Sequence, residues 1–242
     1  MPELSPHLLP SPLPLRFRPD GARWWASPER RLPPATAAAP LLLASVSPRR
    51  RELLRAAGLA YDAHDPGEDP PVAHLTGWRS AAARAVHKAA RGAQAAPGRL
   101  SLGADTVVVW ADQSLGKPAN DAEASWMLEQ LSGRTHEVFS AFGLALVESE
   151  EADSVRLLWL EIVRTEVRFR RLSAPEIAAY VASGAPRDKA GAYGIQDREH
   201  KLVESVRGSY YNVVGLPIRQ VVAALAALGW HGPDPGGRVA PR

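Results

Sequence analysis

The 242-residue chain contains no cysteine. This excludes disulfides, thiolate metal sites and a cysteine nucleophile. It also suits a reducing cytoplasm, which is the expected location. Charge imbalance is small: 29 Lys and Arg against 26 Asp and Glu leave a net charge of +3. The pI of about 9.4 therefore reflects a modest excess of arginine. No basic run interleaved with aromatics appears, so no specific nucleic-acid partner is expected. No apolar run reaches the roughly 20 residues needed to cross a bilayer, and no membrane partner is expected. Residues 8–15 are apolar but broken by Pro10, Pro12 and Pro14, which argues against a secretory signal. Lipidation and retention motifs are missing from the termini. The seven histidines are scattered, which disfavours a histidine-based metal centre. There is no Walker loop, no HExxH, GxSxG or EF-hand pattern, and no internal repeat.

What is present is ordinary for a globular protein. A 45% hydrophobic content is enough for a sizeable core, and the length fits one domain with an appended segment. Residues 1–40 hold ten of the 22 prolines, and no helical or alternating pattern survives them. They are predicted to be a disordered or loosely draped extension, with Trp24 and Trp25 as the side chains that could dock it. The predicted body is 41–229, followed by a flexible tail, 230–242.

The chemistry of the body begins at residues 41–59, LLLASVSPRRRELLRAAGL. A short apolar run predicts a buried strand over 41–44. Ser47 then stands as N-cap with Pro48 as the first helical residue, and Gly58 as the stop. A strand, a tight polar loop and a helix therefore follow in order. Free N–H groups at the helix start lie beside Ser45, Ser47, Arg49, Arg50 and Arg51, an arrangement that attracts anions, phosphates in particular. Three arginines on a surface helix can equally be solvated, but strand-to-helix loops of α/β folds are where ligands bind.

Residues 60–76 are rich in proline and acid and read as loop. A helix is predicted over 78–94, with Ala81, Ala85, Val86 and Ala89 inward and Lys88 on its surface. Residues 100–110 read as a strand interrupted at Gly103, Ala104 and Asp105. A carboxylate there is either a turn cap, the commoner case, or a site. Residues 116–118, GKP, form a rigid loop that can aim Lys117, though an ordinary turn lysine reads the same way. Asp121 is predicted to cap a helix carrying Ala124, Met127, Leu128 and Leu131. Strands are predicted over 138–147, 157–169 and 202–206, with an acidic turn at 148–154. Ser173 and Glu176 form a capping box before a helix that ends at Gly184. Residues 188–196, DKAGAYGIQ, are too rich in small residues for a stable helix or strong strand, and such a segment lets backbone approach a ligand closely. Residues 208–217 read as loop, and a last helix runs from Ile218 to Gly229. Strands and helices in mixed order predict an α/β fold with a mixed sheet.

Taken together, LASVSPRRRELL (43–54), GADTVVV (103–109) with GKP (116–118), LSGRTHEVFSA (131–141), and DKAGAYGIQ (188–196) with GSYYNVVGLP (208–217) resemble the Maf family of nucleotide pyrophosphatases. The resemblance runs in order from about Leu41 to Leu228. It implies an inosine triphosphate pyrophosphatase-like fold: an elongated mixed β-sheet with flanking helices and two lobes around a cleft. It also implies a divalent metal, Mg²⁺ or Mn²⁺, and hydrolysis of a nucleoside triphosphate to monophosphate and pyrophosphate. The SPRR, ADT and AYGIQ stretches are similar to the dTTP/UTP branch. A branch acting on methylated GTP stands second.

A triphosphate carries about four negative charges, so its cleft needs cations and free N–H groups. Ser45, Ser47, Arg49, Arg50, Lys88, Lys117 and Lys189 can supply them. By resemblance, Asp105 is the proton acceptor or chiefly a metal ligand, and Arg49, Thr106 and Gln196 decide substrate choice. The second acidic metal contact is either Glu68 or Asp69. A departure from the family lies at residues 197–200, DREH, where glycine is usual; it adjoins Gln196 on the rim of the base pocket. The resemblance makes a nucleoside triphosphate the partner and allows a homodimer. A non-catalytic nucleotide-binding regulator of cell division is the alternative from another class.

Overall fold

The computed structural model describes residues 16–17, 23–27, 31–72, 75–149 and 154–233. Nine strands form one mixed sheet. They are β1 (Arg16–Phe17), β2 (Arg23–Ala26), β3 (Leu41–Ala44), β4 (Tyr61–His64), β5 (Ser101–Trp110), β6 (Gln113–Leu115), β7 (Thr135–Leu146), β8 (Arg156–Phe169) and β9 (Val203–Arg207). The order is β1-β2-β8-β7-β5-β3-β4, with β6 on β5 and β9 on β8. Among the described residues the parallel pairs are β3 with β4 and β3 with β5. Parallel neighbours need a crossover, and α2 (Pro48–Ala56) and α3 (Trp78–Ala95) lie in the two connections.

Helix α3 packs its alanines against the sheet. Ala81, Ala85 and Val86 meet Val107, Phe139, Leu160 and Ile162. Gly103 makes this approach close, because a Cβ there would fall 2.2 Å from the amide nitrogen of Ala89. A second core joins Leu41, Leu43, Leu54, Phe142 and Leu144 to Val221, Leu225 and Leu228 of α7 (Ile218–Leu228). A third sits at the far end of the sheet. There α4 (Asp121–Leu131) and α5 (Ala174–Ala182) bury Leu128, Ile177 and Tyr180 against Val138, Val167 and Phe169. The second and third cores are separate clusters, and the polar cleft opens between them.

Several expectations are corrected. Residues 61–64, expected as loop, are strand β4 on the free edge of β3; YDAH has no apolar run to announce it. Strand β5 is continuous, with no interruption at Gly103, Ala104 and Asp105, because β7 pairs with it from Ser101 to Val109. Asn120, not Asp121, caps α4, accepting from the Glu123 amide at 2.9 Å. Within the expected loop 208–217, residues Tyr210–Val214 form α6.

The described parts of the expected extension are packed. Strand β2 lies antiparallel on β8, covering an edge that would otherwise expose unpaired backbone. Trp24 stacks on Trp159 with ring centroids 5.2 Å apart. Leu32 joins the α7 core, and α1 (Pro34–Ala38) donates Thr36 Oγ1 to the Gly98 carbonyl at 2.8 Å. The start of the expected tail is also fixed: Trp230 is buried and its indole N–H donates to the Ala39 carbonyl at 3.0 Å. Residues 1–15 and 234–242 lie outside the described residues, as does 150–153 of the acidic turn. Among the described residues no helix is long and apolar enough to cross a membrane.

Candidate active site

The cleft begins as a gap in the sheet. Strand β3 pairs with β5 at residues 101–103 and then leaves, while β6 rejoins the same strand only at 108–110. Between them, residues 104–107 have no strand neighbour on that side among the described residues. Asp105 and Thr106 stand in this gap, on opposite faces of β5 by strand alternation. The cleft beside them encloses about 620 Å³ and takes its lining from both lobes.

Asp105 is buried, at 8% exposure. Its Oδ1 accepts from Lys88 Nζ at 2.8 Å, and its Oδ2 makes no hydrogen bond. Arg84 Nη1 is 3.7 Å from that free oxygen. Lys88 also reaches Asp69 Oδ1 at 2.9 Å. Asp69 therefore lines the cleft, while Glu68 is exposed and does not. The turn reading of Asp105 is overturned: it is a mid-strand carboxylate facing two cations.

The loop after β3 has the anticipated form. Ser45 Oγ accepts from the Ser47 amide at 3.3 Å and from Arg50 Nη1 at 3.1 Å. Ser47 stands at the N-cap, but its side chain makes no capping bond. Arg50 Nε donates to the Gly215 carbonyl at 3.0 Å, linking α2 to the segment after α6. Burial lowers the Arg50 pKa and Asp105 opposes the shift; a guanidinium stays charged regardless. Arg51 departs from expectation: it turns back to the Ser45 carbonyl and does not line the cleft.

The opposite wall is irregular. Residues 185–192 hold two short 3₁₀ turns, Ala185–Asp188 and Ala190–Ala192, with Gly191 at φ +67° inside the second. A Cβ on Gly191 would press on Val108 at 2.9 Å, so only glycine lets this backbone lie on the sheet. Arg49 forks onto Asp188, Nη1 to Oδ2 at 2.6 Å and Nη2 to the backbone carbonyl at 3.1 Å. Lys189 Nζ donates to Asp188 Oδ1 at 3.0 Å. Burial alone would raise the Asp188 pKa, but Arg49 and Lys189 outweigh it and hold the carboxyl below its usual value. Lys117 is exposed on the same rim and has no ion-pair partner among the described residues.

Buried side chains anchor this wall. Tyr193 Oη meets His136 Nε2 at 2.8 Å, and burial drives the His136 pKa down to about 3, leaving it neutral. Tyr180 donates to Asp197 Oδ2 at 2.5 Å and accepts from the Gly194 amide at 3.1 Å. Burial and Asp197 raise the Tyr180 pKa, so it remains a donor. Asn212, fully buried, accepts from the Ser140 amide and donates to the Val138 carbonyl and Thr165 Oγ1. Thr106 Oγ1 shares a 2.7 Å hydrogen bond with Ser140 Oγ and lies 3.3 Å from the Gly215 carbonyl. Gln196 is an exposed residue on the rim, next to the Asp197 that Tyr180 holds.

The structure thus gathers Ser45, Ser47, Arg49, Arg50, Asp69, Lys88, Asp105, Thr106, Lys117, Lys189 and Gln196 on one cleft. Of the expected residues, Glu68 and Arg51 stand away. The sequence reading missed Arg84, Asp188, Tyr193 and Asn212. Arg84 was signalled by its i, i+4 spacing from Lys88 on α3. Asn212 was signalled only as one amide among apolar neighbours.

A Maf-like protein family model matches residues 40–228, most of the chain. The chain belongs to the Maf family. A dTTP/UTP pyrophosphatase of Symbiobacterium thermophilum is 45% identical over 194 residues, covering 78% of this chain and 94% of that one. A second Maf relative, the dTTP/UTP pyrophosphatase of Moorella thermoacetica, is 46% identical over 196 residues, covering 78% and 95%. Among solved structures, a HAM1 protein from Coxiella burnetii aligns over 78% of this chain and 99% of its own, with 18% identity and a TM-score of 0.40.

Proposed function

We propose that this Maf protein hydrolyses dTTP, UTP and related pyrimidine triphosphates to the monophosphate and pyrophosphate, in the cytoplasm and with a divalent metal. The observation that carries this reading is Asp105: a buried carboxylate with one free oxygen, in a sheet gap ringed by cations. A carboxylate on the cleft wall suits a base that takes the proton of an attacking water. The new bond joins that water to the α-phosphorus, the α–β bridging bond breaks, and pyrophosphate leaves. Arg50, Lys117, Lys189 and the amides at the start of α2 hold the developing negative charge.

The residues fit a hard metal ion. Asp69 and Asp105 offer oxygen donors, and Mg²⁺ or Mn²⁺ favours one or two carboxylates together with substrate phosphates. When bound, the ion supplies charge neutralisation and an orienting point for water. Arg49, Thr106 and Gln196 all line the cleft and, as the resemblance implies, would read the base. Amide and hydroxyl groups suit the donor and acceptor edge of uracil or thymine. One unpaired buried group costs roughly 1–3 kcal/mol, so cytosine and purines are disfavoured about tenfold to a hundredfold.

The test is pyrophosphate release from dTTP, UTP, CTP, ATP, GTP and methylated GTP with Mg²⁺ and with Mn²⁺. The expected ranking puts dTTP and UTP first. A preference for methylated GTP overturns the pyrimidine assignment. Tight nucleotide binding with no pyrophosphate released overturns the enzyme in favour of a regulator.

A further inference from the structure

The acid pair of the cleft already has cations in place. Lys88 Nζ lies 2.8 Å from Asp105 Oδ1 and 2.9 Å from Asp69 Oδ1, so one ammonium sits between the two carboxylates. Arg84 Nη1 approaches the other Asp105 oxygen at 3.7 Å. The Lys88 and Asp105 side chains are 12% and 11% exposed, so water screens this pair weakly. Lys88 and Arg84 alone cancel the two carboxylates, before the attraction of Arg50 to both is counted. A divalent ion ligated by Asp69 and Asp105 would have to take the place the ammonium holds, and it would leave two positive charges uncompensated in a half-closed space. Among the described residues there is no cluster of three or more His, Asp or Glu that could hold a metal without help. A triphosphate reverses this balance, because it brings about four negative charges and further oxygen ligands.

We propose that Lys88 and Arg84 are the resident counter-ions of the Asp69–Asp105 pair, so that a divalent ion enters the cleft with the nucleotide and not before it. This rests on the metal-dependent reading above and adds an order of binding and a role for Arg84. The ammonium keeps two like charges from repelling in the empty protein. Its displacement is the cost that the phosphates must offset. Arg84 acts more weakly, since it lies beyond hydrogen-bond distance and is 33% exposed.

The experiment measures Mn²⁺ binding to the full chain by electron paramagnetic resonance. It is run with Mn²⁺ alone and with Mn²⁺ plus α,β-methylene-UTP. Wild type should bind Mn²⁺ alone at least tenfold more weakly than it does with the analogue. Lys88→Met should bind Mn²⁺ alone at least tenfold more tightly than wild type. Lys88→Arg, which keeps the charge, should resemble wild type. Arg84→Leu should gain about threefold, and it carries the test if Lys88→Met does not fold. Nucleotide-free Mn²⁺ affinity that is equal in wild type, Lys88→Met and Arg84→Leu overturns the proposal. So does wild-type protein that binds Mn²⁺ equally well with and without the analogue while calorimetry shows the analogue bound. The nucleotide-free arms do not depend on the preferred base. An analogue that fails to bind counts against the pyrimidine reading alone.

Discussion

The two walls of the cleft are built by different means. One wall is regular: β3, the start of α2, the middle of α3 and β5. Its functional groups sit at helix and strand positions, and their aim follows from backbone geometry. Lys88 meets Asp105 because Gly103 lets α3 lie on β5. The other wall is made of the 185–197 turns and the α6 segment, which have few backbone partners in the sheet. It is held by single buried polar anchors: His136 on Tyr193, Tyr180 on Asp197 and Gly194, and Asn212 on Ser140, Val138 and Thr165. A regular wall needs packing to place its charges. An irregular wall needs hydrogen bonds whose loss leaves buried groups unpaired.

The comparison predicts that damage to the first wall falls on chemistry and damage to the second on stability. The largest expected effect is Asp105→Asn. It keeps the shape of β5 but removes the proton acceptor, so kcat should fall by roughly 10² to 10⁴. Activity within a few-fold of wild type, in a pyrophosphate-release assay, would remove Asp105 from the mechanism.

Asn212→Ala should come next, and in the other currency. It strips the partners from the Ser140 amide and the Val138 carbonyl, both buried. A loss of about 2–4 kcal/mol is expected in urea unfolding. An unchanged midpoint would mean that water replaces the amide and that the wall does not depend on this anchor.

His136 supplies a pH dependence. Its pKa falls from 6.5 to about 3 on folding, so the unfolded chain binds the proton that the folded chain refuses. The stability it contributes is complete above pH 6.5 and is lost as pH falls toward 3. The slope approaches about 1.4 kcal/mol per pH unit. His136→Gln should flatten the melting curve's dependence on pH between 6.5 and 4.5, a window set by the same residue. A wild-type slope retained in the variant would assign the effect to other groups.

The smallest effect sharpens the contrast on the rim. Lys117 has no ion-pair partner among the described residues, so Lys117→Ala should leave the melting temperature alone. It should lower kcat/KM by about fivefold, roughly 1 kcal/mol of phosphate attraction. A drop in melting temperature with unchanged kinetics would show Lys117 to be a turn residue.

Much of the regular wall was legible. Pro48 after Ser47 announced the start of α2, and the alanine spacing of 78–94 predicted α3 almost to its ends. The second wall was legible only as a composition, small residues around Lys189, with no sign of what held it. Asp105 reads more readily as a turn cap than as a site in sequence, because the gap beside it is made by β3 and β6, whose partners are set by pairing. Strand β4 and helix α6 are too short to show a period, and both form against surfaces supplied by distant residues.

The sequence by itself determined the local elements, the inventory of charged groups and the family, since each depends on near neighbours or on ordered motifs. Only the tertiary structure decided which of two adjacent acids faces Lys88, Asp69 or Glu68. It also decided that Arg84 stands over Asp105 and that Arg49 grips Asp188, 139 residues away. Periodicity fixes the face a side chain occupies within its own element. Which faces meet is set by how the sheet pairs and how the chain closes its long loops, and no local pattern carries that information.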